Sequence, residues 1–473
     1  MQNAPTRAGT SGSRLAMRSA VIAALGGLLF GFDTAVISGT TDALQDVFSL
    51  TAGGLGFTVA TALIGTIVGA AATGLWKPAD LFGRKKVLYA IGILYFVSAV
   101  GSALAPDWVT FMVFRFVGGV GVGAAAAVAP IYNAEVSPPK LRGRMVGLFQ
   151  FNIVLGILLA YLSNYVMLQL APEATAWRWM FGVEALPALA FVLLLVLVPE
   201  SPRWLMKVGR VAEADRVITA LAPDPDEARL AHQEIAEALE TDDAEQHATF
   251  FTRRHRKVIF LAFAIAAFNQ LSGINAVLYY APSIFASAGM GESASFLSSG
   301  GVGLINLIST MLALFVIDRL GRRKLMLIGS VGYLVTLGLL SVVFFVQGQD
   351  FSGTASMFVV LLVMLFVAAH AFGQGAVIWV FISEIFPISV RARGQAFGSL
   401  VHWGFAAAIS WIFPLLAEVV GGGAAFAFFF VCMVAQLVWV LLLMPETKGV
   451  PLEKLRGVLG VGDRQRNRSG SSR

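Results

Sequence analysis

Asp80-Leu-Phe-Gly83-Arg84-Lys85-Lys86 is written again, little changed, as Asp318-Arg-Leu-Gly321-Arg322-Arg323-Lys324. A second pair, Glu135-Val-Ser-Pro-Pro-Lys-Leu-Arg142 and Glu384-Ile-Phe-Pro-Ile-Ser-Val-Arg391, recurs in the same order. Asp80 to Asp318 spans 238 residues and Glu135 to Glu384 spans 249, about half of the 473-residue chain. A repeat on that scale predicts two similar halves that move against each other.

Between these motifs the chain is apolar. Hydrophobic residues make up 57% and charged residues 13%, with a mean hydropathy of +0.77, too much apolar surface for a water-soluble fold. Runs of spanning length fall at about 17–38, 54–75, 87–105, 109–131, 145–168 and 178–198. A second set falls at about 257–281, 296–317, 325–347, 356–382, 394–418 and 423–444. The fold class is all-α integral membrane: twelve transmembrane helices as two six-helix pseudo-symmetric bundles with a cytoplasmic helical insert. Expected boundaries are a tail at 1–16, a bundle at 17–198, an intracellular linker at 199–256, a bundle at 257–444 and a tail at 445–473.

Charge gives the orientation. Loops after spans two, four, eight and ten carry Arg84-Lys85-Lys86, Lys140/Arg142/Arg144, Arg322-Arg323-Lys324 and Arg391/Arg393, whereas 39–53, 282–295, 348–355 and 419–422 contain no Lys or Arg. By the positive-inside rule both termini and the insert are cytoplasmic. The N-terminus leads into span one without a signal-peptide pattern. The net charge of +6 therefore sorts by loop and does not point to nucleic acid. The lone Cys432 excludes an intramolecular disulfide and reads as packing. Val211–Ile218 and Asp226–Leu239 have helical spacing, broken by Pro223 and Pro225, so the insert holds short helices. It is either a simple linker or a latch beneath the bundle. The tail after Leu455 is polar and basic and reads as disordered.

The repeated charges are gate candidates: Asp80, Arg84, Glu135 and Arg142 in one half, Asp318, Arg322, Glu384 and Arg391 in the other. Such carboxylates and guanidiniums would pair across the halves when the inner gate is shut. The plainer alternative is loop anchoring by basic residues alone. Asp33, in Gly31-Phe-Asp33-Thr34 of span one, is an ionisable group at membrane depth, and Arg115 of span four is its natural counter-ion. Burial and a nearby guanidinium pull a carboxyl's proton affinity in opposite directions. A pair whose hydration changes with conformation would bind and release a proton, whereas a static pair would only fix two helices. Gly119-Val-Gly-Val-Gly123 lacks the Lys-Ser/Thr of a phosphate loop and lies within a span, where small residues allow close helix approach. No metal cluster, nucleophile triad or cofactor motif is visible, so an enzyme is not expected and the proton is the expected coupling ion.

Several motifs together resemble the sugar porters of the major facilitator superfamily, from about Leu15 to Leu455. They are Pro130-Ile-Tyr-Asn-Ala-Glu135, Pro199-Glu-Ser-Pro-Arg203, Gln270-Leu-Ser-Gly-Ile-Asn275, Trp379 with Ser383-Glu-Ile-Phe-Pro387, and Pro445-Glu-Thr-Lys-Gly449. The resemblance implies sugar contacts at Gln150, Gln270, Asn275, Tyr279, Asn306 and Trp379, with amides for hydroxyls and an aromatic face for the sugar's C–H surface. Interhelical glue is the alternative for the amides, and ordinary packing for Trp379. Gln270 and Asn275 would diverge on a regular helix, so span seven must bend or unwind near Gly273 for both to face the pocket. Asn269 stands where many relatives have the first Gln of a pair, and His402, followed by Trp403, where several have an amide; these three join the candidate substrate site. Glu184 matches an acid found near this site in a relative and is expected to tune the pair, and Glu200, Arg203 and Glu446 join the gate set. Ala376 replaces a Pro often found after Gly375, Trp76 a Gly, and Leu81 an Arg.

Proton-coupled members have an acid at the position of Asp33 and passive ones an amide. The expectation is a proton-coupled symporter for a hexose or pentose, working by alternating access as a monomer in a bacterial inner membrane. A proton-independent uniporter and a non-transporting sensor are the alternatives. Ile157, in place of a second span-five amide, leans toward a hexose; xylose, galactose and inositol stay open.

Overall fold

The structure is a computed structural model that describes residues 7–137, 142–245, 249–348 and 350–449, with side chains omitted at 7–13, 142–146, 241–245 and 388. Arg142's side chain and the tail beyond Gly449 lie outside the described residues.

Among the described residues, eleven helical stretches are long and apolar enough to cross a membrane. The first six are Arg14–Gly39, Ala52–Trp76, Arg84–Leu104, Trp108–Val136, Gly147–Leu170 and Glu173–Leu197. After the insert come Arg253–Tyr279, Glu292–Leu320, Arg322–Gln347, Gly353–Ile385 and Ser389–Leu442. The last holds two spans. Its helix of 55 residues is interrupted at Gly421, whose φ of 79° only glycine adopts without strain. A sequence loop expected at 419–422 is thus a kink, and the count of twelve stands.

Small residues set the helix contacts within the first half. A Cβ at Gly119 would lie 2.8 Å from the carbonyl carbon of Ala62, and one at Gly123 would lie 2.6 Å from the nitrogen of Ala70, so spans two and four touch backbone to backbone. The glycine run predicted to allow close approach does so.

The insert forms helices Pro202–Lys207, Val211–Leu221 and Pro225–Glu245, with the break at the two prolines. It is stapled to the first half: Trp204 Nε1 donates to the Asp80 carbonyl at 2.9 Å, Lys207 meets the Asp80 carboxylate at 2.9 Å, and Tyr132 OH donates to the Pro199 carbonyl at 2.8 Å.

The halves are joined at the end away from the Gly-Arg motifs. Ser283 Oγ lies 3.1 Å from Thr41 Oγ1 and donates to Asp42 at 2.9 Å; Gln169 donates to Ser293 at 3.1 Å. Trp411 Nε1 donates to the Gly53 carbonyl at 3.2 Å, and its ring stands 4.9 Å from that of Phe57. One level deeper, Tyr161 OH donates to the Leu278 carbonyl at 2.6 Å.

Candidate functional site

At the motif end each half carries the same charge cluster. Arg84 grips Glu135 with two bonds, Nε to Oε2 at 2.8 Å and Nη2 to Oε1 at 3.0 Å, and pairs with Asp80 at 2.9 Å. In the second half Arg322 bonds Glu384 at 2.8 Å and Asp318 at 3.1 Å. In this conformation Arg84 and Arg322 each take carboxylates of their own half, whereas the cross-half pairing is expected of the state with the inner gate shut. The fork of arginine selects the carboxylate that offers two coplanar oxygens, and Glu135 sits where both are in reach. Arg391 does not bond Glu384, and its Nε is buried without a partner.

Two residues that the sequence reading left out complete these clusters. Ser201 donates to Glu135 at 2.6 Å and Thr447 donates to Glu384 at 2.6 Å. The residues before them cap the next span. Glu200 accepts from the backbone N–H of Arg84 at 3.0 Å and Lys85 at 3.1 Å; Glu446 accepts from Arg322 at 3.0 Å and Arg323 at 3.1 Å. A carboxylate on free N–H groups at a helix start is favourable twice over, by hydrogen bonding and by the helix dipole. Gly83 and Gly321, at φ 96° and 87°, turn the chain there, and a Cβ would lie 3.0 Å from Glu200 Cδ or 2.6 Å from Glu446 Oε2. Pro199-Glu-Ser and Pro445-Glu-Thr are thus a third internal repeat, 246 residues from Glu200 to Glu446, which was readable in the sequence.

Two of these carboxyls, Asp80 and Glu446, have lowered proton affinities. Burial raises the Asp80 carboxyl, but the Lys207 hydrogen bond and the charges of Arg84 and Lys207 outweigh it and hold the group below its usual range. Burial likewise opposes ionisation of Glu446, and four backbone N–H donors, from Lys448, Arg322, Arg323 and Thr447, bring it below the usual range. Arg203 lines a groove of about 450 Å³ beneath span four, with Ile218, Leu221 and Leu230 of the insert.

Deep in the first half, Arg115 Nη1 donates to Asp33 Oδ1 at 2.5 Å while Nη2 reaches the Asp33 carbonyl at 3.3 Å. Both residues are 2% exposed, and the guanidinium lies 5.2 Å from the Phe181 ring. Glu184 is buried at the break between helices Ala176–Val183 and Ala185–Leu194, and its Oε1 has no protein partner. Neither has the buried hydroxyl of Tyr95 on span three, which the sequence reading also passed over. A cavity of about 10 Å³, room for one water, joins Asp33 and Arg115 to Tyr279 and Trp403 of the second half.

Span seven breaks where the amide argument required. Helix Arg256–Leu271 ends, Gly273 turns at φ 83°, and Ile274–Tyr279 resumes. Gln270 Nε2 donates to Asn269 Oδ1 at 2.9 Å and approaches the His402 ring nitrogens at 3.2 and 3.4 Å. The His402 ring stands 5.1 Å from Trp379, which is 36% exposed, and 4.8 Å from Trp403. Asn269, Gln270, Trp379, His402 and Trp403 therefore form one cluster, and Asn275 and Tyr279 are buried just beyond it on the resumed helix. Gln150 is half-buried on span five, and Asn306 accepts from Thr310 of its own helix at 3.5 Å, so neither is drawn into that cluster by a bond. In span ten a π-helical turn at Ala371–Gly375 provides the irregularity that Pro would have given at Ala376. Gln374 on that turn is buried, with Oε1 unpartnered.

Two six-span halves, an ion pair at membrane depth and a polar cluster across the break of span seven define a membrane transporter of the repeat-built kind. The chain belongs to the Sugar (and other) transporter family, whose model matches residues 19–459. It is 36% identical to the D-xylose transporter of Levilactobacillus brevis, over 92% of this chain and 94% of that protein. It is 37% identical to the D-xylose-proton symporter of Escherichia coli K12, over 93% and 94%. Among solved structures, the inward open conformation of the xylose transporter XylE from E. coli matches with a TM-score of 0.82 at 34% identity, covering 94% of this chain and 99% of that one. The same symporter bound to 6-bromo-6-deoxy-D-glucose matches at 0.76, with 34% identity, 94% and 99% coverage.

Proposed function

We propose that the chain is a proton-coupled monosaccharide symporter that works by alternating access. The observation that carries this reading is the small cavity in which Asp33 and Arg115 of one half meet Tyr279 and Trp403 of the other. A proton on Asp33 removes the charge that holds Arg115 on span four. The same event alters the surface against which the second half, with its bound sugar, must close. The similarity to a D-xylose-proton symporter supports the same assignment.

Each residue has a part in this reading. Asp33 carries the proton, Arg115 is its counter-ion and Glu184 tunes the pair. Gln150, Gln270, Asn275, Tyr279, Asn306 and His402 address sugar hydroxyls, and Trp379 and Trp403 give the apolar faces. The charge clusters of Asp80, Arg84, Glu135, Glu200 and Arg203, and of Asp318, Arg322, Glu384 and Glu446, keep the motif end of each half rigid while the halves rock. Arg142 and Arg391 are the further cationic positions of the gate in this reading.

The contacts of the opposite end hold that side shut, so the conformation is inward-facing, which agrees with the higher TM-score to an inward open relative. Lys and Arg on the motif loops put that end, both termini and the insert in the cytoplasm, and the membrane is a bacterial inner membrane. The functional divisions are 17–198, 199–256 and 257–444, flanked by cytoplasmic tails, and the insert latches to the first bundle through Trp204 and Lys207. The protein works as a monomer surrounded by lipid, and Ile157 favours a hexose.

The test uses purified protein in proteoliposomes with labelled glucose at equal concentration inside and out, an imposed inward proton gradient, and wild type beside Asp33→Asn. Uphill accumulation by wild type alone is the expected result. Exchange indifferent to the gradient would make the protein a facilitator, and movement of no pentose, hexose or polyol would overturn the assignment.

A further inference from the structure

Trp76 and Leu81 take no part in the buried clusters, and they stand together at the motif end of the first half. Leu75, Trp76, Leu81 and Phe82 are 78%, 73%, 65% and 60% exposed. In the register set by Asp80 and Asp318, the counterparts of Trp76 and Phe82 are Leu314 and Leu320, each 36% exposed, and that of Leu81 is Arg319. The backbone differs as well. Helix Glu292–Leu320 runs unbroken through the second motif, whereas Ala52–Trp76 stops at Lys77, a non-glycine residue at φ 45°, and the short helix Pro78–Phe82 follows. That short helix spends its polar groups inward. The Asp80 carbonyl accepts from Trp204, the Asp80 carboxylate meets Lys207 and Arg84, and the Ala79 carbonyl accepts from Arg84 at 3.0 Å. Its outward side is left to Leu81 and Phe82.

The surface on either side of this patch says what covers it. On span two Val68, Ala71 and Leu75 are exposed at helical spacing, and on span three Lys86, Ala90, Ile93 and Val97 are. Such stripes on spanning helices face lipid, and the patch joins the motif-end limit of one to that of the other. Ala52–Trp76 has 25 residues, about 37 Å at 1.5 Å per residue, against about 30 Å of hydrocarbon, so Trp76 and the turn after it stand at headgroup level. Lys77 and Lys86, both exposed, flank the apolar side chains there. Tryptophan with lysine suits that level, the ring in the boundary and the ammonium among phosphates.

We infer that Leu75, Trp76, Leu81 and Phe82 form an interfacial anchor, absent from the second half, that enters the leaflet at the motif end, with Lys77 and Lys86 holding anionic phospholipid headgroups beside it. The anchor goes beyond the transport reading and does not depend on the sugar. Through the bonds of Asp80 it is tied to the insert and to Arg84.

The experiment compares Leu81→Cys with its repeat counterpart Arg319→Cys, each in a Cys432→Ser background and labelled with an environment-sensitive fluorophore, in vesicles of mixed phosphatidylcholine and phosphatidylglycerol. The label at Leu81 should be quenched by lipids spin-labelled near the headgroup end of the acyl chain. It should be shielded from aqueous iodide by roughly threefold or more relative to the label at Arg319. Trace spin-labelled phosphatidylglycerol should quench it more strongly than trace spin-labelled phosphatidylcholine. Lys77→Gln with Lys86→Gln should remove most of that excess, each lysine being worth on the order of fivefold. Trp76→Phe, unlabelled, should lose a component of the intrinsic fluorescence that brominated lipid quenches, which checks the same depth without a cysteine at Leu81. Equal iodide quenching at the two labelled positions would put the patch in water, open to a soluble partner, and overturn the anchor. Unchanged brominated-lipid quenching in Trp76→Phe would do the same. Equal quenching by the two spin-labelled headgroups in the parent, or an excess that survives loss of both lysines, would overturn the headgroup site.

Discussion

Replacing Gly56 by leucine should prop the protein open at the end away from the charge clusters. A Cβ at Gly56 would lie 2.9 Å from the carbonyl carbon of Trp411 and 3.1 Å from its Cα, with the carbonyl oxygen closer still. Carbon atoms in contact rest at about 3.5–4.0 Å, so the Cβ alone asks the halves to part by about 1 Å, and a leucine side chain asks for more. The obstacle is backbone, which cannot swing aside as a side chain would. Separation breaks the Trp411-to-Gly53 hydrogen bond, worth about 0.5–1.5 kcal/mol, and the Phe57–Trp411 ring pair, worth about as much again. Together, about 1–3 kcal/mol shifts the equilibrium between the two facing states by about 5–150-fold. Leucine is the better helix former by about 1 kcal/mol, so span two itself is not weakened. The assay places a cysteine at Leu63, on the wall of the small cavity, in a Cys432→Ser background. A membrane-impermeant maleimide added from the far side should label it faster in Gly56→Leu than in the parent, while sugar exchange slows. Gly74→Leu, with no atom within 4 Å of its Cβ, is the control. Equal labelling with and without Gly56→Leu, or the same change in the control, would refute the view that these contacts are a closed outer gate.

Other outcomes follow from the same geometry. Gly123→Leu meets a backbone of its own half, with its Cβ 2.6 Å from the Ala70 nitrogen, so it should abolish folded expression in a detergent-solubility assay. Gly273→Ala combines a φ of 83° with a Cβ 2.6 Å from the Phe429 ring. It should cost about 1–2 kcal/mol from the left-handed backbone alone, and raise the KM for sugar more than it lowers the maximal rate. Asp80 and Glu446 are held below their ordinary values of 3.8 and 4.5, so each binds its proton more weakly folded than unfolded. Their contribution to stability is complete above the unfolded values and is lost as pH falls through the lower folded ones. The melting temperature in detergent should therefore be flat above about pH 5 and fall below pH 4.5, with a shallower fall in Glu446→Gln. An equal acid slope in that variant would count against the backbone cap as the cause.

Much of the architecture was legible because the bilayer restricts the chain to helices and because the two halves repeat each other's motifs. Asp33 with Arg115 was legible for a related reason: an acid in an apolar run needs a counter-ion, and few exist. Partner choice among the surface charges was not. Recurrence tells that Glu135 and Glu384 are equivalent, but whether each meets an arginine of its own half depends on guanidinium orientation, which Gly83 and Gly321 fix by turning the chain. The π-helical turn directly before Ala376 in span ten was not legible, since a helix can widen by one residue without any residue type that announces it. The bond from Gln270 to Asn269 was not legible either, since side-chain orientation within an adjacent amide pair leaves no mark in the sequence.

The departures from two-fold symmetry are where the chemistry lies. At the motif end the halves match residue for residue: arginine on glutamate, hydroxyl on the same glutamate, a second glutamate on the N–H groups of the next span. That match makes two bodies of like rigidity, which is what rocking about a shared axis needs. Away from it they diverge. The first half buries a charged pair and no amide cluster around it, and the second buries amides and imidazole around a broken helix. A proton bound in one half and a sugar in the other can influence each other only across the interface, and side chains of both sets share a cavity where Asp33 and Arg115 meet Tyr279 and Trp403. Coupling should accordingly be most sensitive to the size of those two aromatic residues. Tyr279→Phe keeps the ring and should retain accumulation, while Tyr279→Ala should leave exchange measurable and uncouple it from the gradient. Loss of both activities together in Tyr279→Ala, with the protein still folded, would mean that the tyrosine serves the sugar alone.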